Sequence, residues 1–187
     1  MSLRALQFFF FAAALSFFVG SPLCGAGSNG QIYALRFVDI DGRALSTADG
    51  HVTVLVLATP RDSEKARAVG DRVPDNCLGN PRYRMITIVR FTKKHSAIGR
   101  RIATALVRHR VNEEGKRLQK RYDAKKISGD AKSDIFTVTD FDGTASSQLS
   151  EQFEAAGFRV FVFRENGELL QQWNDVPSPE QLSAALK

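Results

Sequence analysis

The chain has 187 residues, enough for one domain of ordinary size with a real hydrophobic core. Hydrophobic content of 43% and charged content of 25% are globular values and exclude a disordered or collagen-like chain. A formal net charge of +6 weakly favours acidic partners and says nothing about fold.

Residues 1–26 have the layout of a secretory signal peptide. Arg4 gives a positive start, Ala5–Gly20 is an apolar run containing Phe8–Phe11, and Cys24-Gly25-Ala26 offers a small-x-small cleavage site. The apolar run is 16 residues, short of the about 20 a spanning helix needs, so a cleaved leader is expected and an uncleaved anchor is the alternative. The mature domain is then 27–187, exported to the periplasm or the outside of the cell. Cys24 leaves with the leader, so Cys77 is the one remaining thiol and has no internal disulfide partner.

Within the domain, Ile32–Val38 is expected to be a first strand, closed by the turn Asp41-Gly42, with Arg43–Ser46 returning. Val52–Thr59, V-T-V-L-V-L-A-T, reads as a strand covered on both faces and as the centre of a sheet. Pro60 opens a helical pattern over Ser63–Val73, with Ala66, Val69 and Val73 on one face. Arg84–Phe91 is a second clear strand.

Residues 93–132 are basic and helical. Thirteen Lys and Arg stand against four acidic residues, an excess larger than the net charge of the whole chain. Ile98, Ile102 and Leu106 repeat at i, i+4, Val107, Val111, Leu118 and Tyr122 extend the apolar stripe, and Gly115 marks a break or kink. A solvated outer face is the plain reading of the charge. An anionic surface or an acidic envelope partner is the functional one. Nucleic acid is not expected, since Tyr122 is the sole aromatic residue there to stack on bases.

Ile135–Thr139 is a third core strand, ended by Asp140-Phe141-Asp142-Gly143. Ser146–Ala156 is a short helix, Arg159–Phe163 and Glu168–Trp173 form a hairpin about Asn166-Gly167, and a last helix starts at Ser178 or Pro179. The fold class is α/β, a central mixed sheet flanked by helices.

The order of these elements and several phrases resemble the thioredoxin-like superfamily. Phe37–Ser46 resembles the opening phrase of its redoxin branch, which includes exported thiol-disulfide reductases and peroxiredoxins. Val52–Thr59 matches the strand that leads to the active site, Thr137–Gly143 the later Asp-Gly strand end, and Phe158–Gly167 the strand that follows the family's cis-proline. The resemblance implies a Cys-x-x-Cys opening the next helix, where the helix N-terminus lowers the thiol pKa. Arg61-Asp62-Ser63-Glu64 stands there instead, Asp62 takes the peroxiredoxin Cys position, and Phe158 takes the cis-proline position. No catalytic residue carries over. Arg61, Asp62, Glu64 and Phe158 are read as degenerate active-site positions.

Other chemistry is weaker. Asp140-Phe141-Asp142-Gly143-Thr144 also fits the first motif of haloacid-dehalogenase phosphatases, but the 43 residues after Thr144 are too few for that fold. His51, His95 and His109 are isolated and no Cys-x-x-Cys, phosphate-binding Gly loop or nucleophile elbow occurs, so no metal or cofactor is expected. The expected function is a thioredoxin-fold binding or accessory module of the cell envelope. The alternatives are a single-thiol redox protein using Cys77 and an anionic-surface binder using the basic helix.

Overall fold

The computed structural model describes residues 30–153 and 157–187. The expected leader, 1–26, lies outside the described residues. A five-stranded mixed sheet has the order β5-β4-β3-β6-β7, built from β3 (Val52–Ala58), β4 (Tyr83–Arg90), β5 (Ile135–Asp140), β6 (Arg159–Phe163) and β7 (Leu169–Trp173). A separate hairpin of β1 (Arg36–Val38) and β2 (Ala44–Ser46) precedes it. The helices are α1 (Ser63–Arg72), α2 (Ala97–Lys125), α3 (Thr144–Phe153) and α4 (Pro179–Ala185).

β3 is the central strand, and every one of its residues is buried. It runs parallel to β4 and antiparallel to β6. Its alternate side chains feed two cores, which is why it reads as a continuous apolar run. Leu55 and Leu57 join Ile86, Ile88, Phe161 and Phe163 under the β1–β2 hairpin and α3. Val54, Val56 and Ala58 join Val160 and Val162 under Val69 of α1 and Leu182 of α4.

The chain ends of these elements follow from local chemistry. Asp140 accepts from the backbone N–H groups of Ala145 and Ser146, and Asp142 from that of Thr144, so both carboxylates cap α3. Ser178 caps α4, with Gln181 closing the reciprocal bond. Gly167 turns the β6–β7 hairpin at φ +85°, and a Cβ there would lie 2.6 Å from the Tyr33 carbonyl oxygen. That close approach docks the incoming segment, since the Tyr33 N–H donates to the Gly167 carbonyl.

Three expectations need correction. The first strand is shorter than Ile32–Val38; it starts at Arg36, and Ile32 makes only an isolated bridge to Glu168. Gly115 breaks nothing. α2 runs through it for 29 residues, and Lys132 packs closely on it, 3.2 Å from where a Cβ would be. The apolar pattern of α2 is two faces, not one stripe. Val107, Val111 and Tyr122 are buried, but Ile98, Ile102 and Leu106 are 71%, 58% and 61% exposed. One residue is a 100° turn of a helix, so the step from Leu106 to Val107 moves the pattern to another face.

Candidate functional site

The junction of β3 and α1 is closed by a carboxylate. Thr59 leaves the sheet in extended conformation, and a 3-10 turn, Pro60–Asp62, leads into α1. Asp62 folds back over this turn, and its Oδ2 accepts from the Thr59 N–H at 2.9 Å and the Thr59 hydroxyl at 2.7 Å. The Thr59 hydroxyl is the main cause that holds the Asp62 carboxyl below the usual range, with the backbone N–H and Lys65 adding to it against burial. Asp62 is therefore ionised at neutral pH and offers no proton there. A negative charge at this end also suits the dipole of α1. Arg61 is exposed beside it, and Glu64 faces outward to Arg67.

Phe158 lies directly before β6, across the sheet from the end of β3. It is buried in the α1–α4 core, and the Lys65 ammonium sits 5.4 Å from its ring centroid. Arg61, Asp62, Glu64 and Phe158 thus gather near the start of α1. Cys77 does not. It follows α1, in a 3-10 turn over Asp75–Cys77, and the ten residues of α1 put about 15 Å of helix between it and Asp62. Cys77 is a free thiol, 5% exposed, and burial pushes its pKa up. A thiol so placed carries less of the reactive thiolate than an exposed one.

Beside the junction lies a groove of about 1020 Å3 between α1 and α2, with β4 as its floor. Its two ends differ. Toward the C-terminal half of α2, ion pairs bridge the walls: Arg67 to Glu114 at 2.6 Å, Arg117 to Asp71 at 3.5 Å and Arg121 to Asp75 at 2.8 Å. Toward the N-terminal half the lining is apolar, with Ile102 and Leu106 from α2 and Val89 and Phe91 from the end of β4 and just beyond it. Phe91 stacks on Phe141 at 4.4 Å, and His95 meets both rings edge-on.

The groove was not foreseen from the sequence. Its signal was there in the register break of α2: Ile98, Ile102 and Leu106 continue to Arg110 at the same spacing, whereas Val107 and Val111 begin a separate face. Among the described residues, no cluster of His, Cys, Asp or Glu could hold a metal ion, and no helix is long and apolar enough to cross a membrane. Asp140 and Asp142, the pair that fits a phosphatase motif, are occupied with the backbone of α3.

No family model matches the chain, and no curated protein matches its sequence. Solved structures do match its fold. The C-terminal domain of a protein assigned as a thiol-disulfide oxidoreductase in Bacteroides thetaiotaomicron superposes with a TM-score of 0.52 at 12% identity, covering 87% of this chain and 95% of that one. A protein assigned as a thioredoxin in Neisseria meningitidis gives 0.52 at 14%, covering 85% and 89%. One assigned as a thiol:disulfide interchange protein, DsbE, in Chlorobium tepidum gives 0.50 at 11%, covering 87% and 99%. The fold is thioredoxin-like, with the mixed sheet and flanking helices that the residue pattern predicts.

Proposed function

We propose that this chain is an exported thioredoxin-fold protein that binds a partner or ligand and carries out no dithiol chemistry. The carrying observation is the junction after β3. The Thr59–Asp62 pair closes the turn where the resemblance would put thiols, and Arg61-Asp62-Ser63-Glu64 supplies no sulfur. Without a thiolate there is no nucleophile for attack on a disulfide. Arg61, Asp62, Glu64 and Phe158 are then remnants of a reductase site, and the groove beside them is the surface left for binding. The expectation of export rests on the leader-like residues 1–26.

An insulin-reduction assay with dithiothreitol as electron source tests this reading. Turnover at the background rate of a thiol-free protein is expected, and turnover comparable to a dithiol thioredoxin would overturn it. The single-thiol alternative is disfavoured by the burial of Cys77. It predicts that Cys77→Ser changes the redox behaviour or the oligomeric state, and on our reading it changes neither. The anionic-surface alternative draws on α2. Part of that charge is spent within the molecule, Arg117 on Glu114 and Asp71, Arg121 and Lys125 on Asp75, and Arg108 on Asp41.

A further inference from the structure

The apolar end of the α1–α2 groove carries an inference that rests on the binding-module reading and names its ligand. Described large aliphatics exposed on this molecule include Ile98, Ile102 and Leu106, three successive turns of one helix face. The fourth position of that face is Arg110, whose Nη1 reaches toward the Pro60 carbonyl at a long 3.4 Å, at the start of α1. The groove is lined by five arginines. Four of them, Arg67, Arg84, Arg117 and Arg121, meet a carboxylate. Arg110 meets none among the described residues.

From Ala97 to Asn112 the helix carries no acidic residue, and of its four arginines Arg108 reaches Asp41 at 3.7 Å while Arg110 is the one that lines the groove. An aliphatic wall that ends in an unpaired guanidinium matches a molecule with the opposite layout, a long hydrocarbon chain ending in a carboxylate. The groove as a whole, ion-paired end included, has a volume of about 1020 Å3, so its apolar end has room for one extended chain.

We infer that this groove binds a single long-chain carboxylate, the chain lying along Ile102 and Leu106 over Val89 and Phe91, and the carboxylate at Arg110. Burying the chain supplies the affinity in proportion to its apolar area, and the guanidinium fixes its direction. The occupant is one amphiphile rather than a bilayer, because the groove is a concave site between two helices and Ile102 and Leu106 both line it.

The test is a fluorescence titration of the purified protein with 11-(dansylamino)undecanoic acid, followed by displacement with oleate and with oleyl alcohol. Saturable one-to-one binding is expected, with oleate displacing the probe at least about tenfold more effectively than the uncharged alcohol. Arg110→Gln should weaken the probe by about tenfold while leaving the urea midpoint unchanged, and should abolish the preference for oleate over the alcohol. Leu106→Glu should weaken both ligands. Absence of probe binding to the folded protein overturns the inference. So does equal affinity in Arg110→Gln, or adsorption to phosphatidylglycerol vesicles with no binding of monomeric oleate. Any of these in a protein inactive on insulin removes the ligand assignment and leaves the binding-module reading standing, whereas insulin turnover removes that reading by itself.

Discussion

At the residue scale, one threonine and one aspartate decide what the junction after β3 can do. Asp62 holds Thr59 by two hydrogen bonds through a single oxygen. Asp62→Ala is expected to cost about 1 kcal/mol at pH 7, the usual loss for a helix-start cap, read as a lower urea midpoint at unchanged m. The pH dependence has a definite sign. The folded pKa of Asp62 is depressed, first by the Thr59 hydroxyl. Its contribution is therefore complete above the unfolded value of about 3.9 and fades as pH falls through the lower folded value. The gap between wild type and Asp62→Asn should close below about pH 4. A gap that persisted at pH 2 would show that the bonds do not depend on the ionised carboxylate.

At the scale of elements, α1 and α2 are held together differently along their length. The Arg67–Glu114 pair is about one third exposed on both sides, so a double-mutant cycle should return about 0.5 kcal/mol, decreasing in high salt. The β6–β7 hairpin is less forgiving. Gly167→Ala places a methyl 2.6 Å from the Tyr33 carbonyl oxygen at a positive φ, and should cost more than about 1 kcal/mol by urea unfolding. A smaller loss would mean that the Ile32–Tyr33 segment yields without cost.

Those elements differ in how openly the residues announced them. β3 was readable because a strand buried on both faces needs a run of branched aliphatics, with its ends marked by Gly50 and Pro60, whereas β4 buries only alternate residues, Arg84, Ile86 and Ile88. The hairpin at Asn166-Gly167 and the α4 start at Ser178-Pro179 were readable from turn and cap chemistry. The groove was not, because periodicity reports a face and not what covers it. Ile98, Ile102 and Leu106 look like core residues until the position of α1 is known. Gly115 looked like a helix breaker for a similar reason: the side chain packed closely on it, Lys132, lies 17 residues away in the chain. At the junction, the absence of sulfur was plain in the sequence, and the closure by Thr59 and Asp62 was not.

At the scale of the whole molecule, stability should fall at both ends of the pH range, for different reasons. Asp75 and Asp175 are held low chiefly by hydrogen bonds from Lys125 and Lys65. Asp49, which burial alone would raise, is brought low by Arg84 and His51. Such groups stabilise the fold above about pH 4 and withdraw that support as pH drops further. The alkaline side rests on two interior groups whose neutral forms the fold prefers. Burial raises the Cys77 thiol, and burial followed by the hydrogen bond to Asp134 raises the Tyr122 phenol strongly. A raised folded pKa means support that is complete below the unfolded value and lost as pH rises beyond it. Cys77 should therefore begin the alkaline decline near about pH 8.5 and Tyr122 should deepen it above about pH 10. The two separate by mutation. Cys77→Ser should remove the earlier decline. Tyr122→Phe, which gives up the 2.6 Å bond to Asp134, should cost about 1.5 kcal/mol at pH 7 and flatten the later one. Urea midpoints of the three proteins from pH 7 to 11 decide it. Parallel curves would mean that neither side chain stays neutral inside the fold, and would also reopen Cys77 as an accessible thiolate.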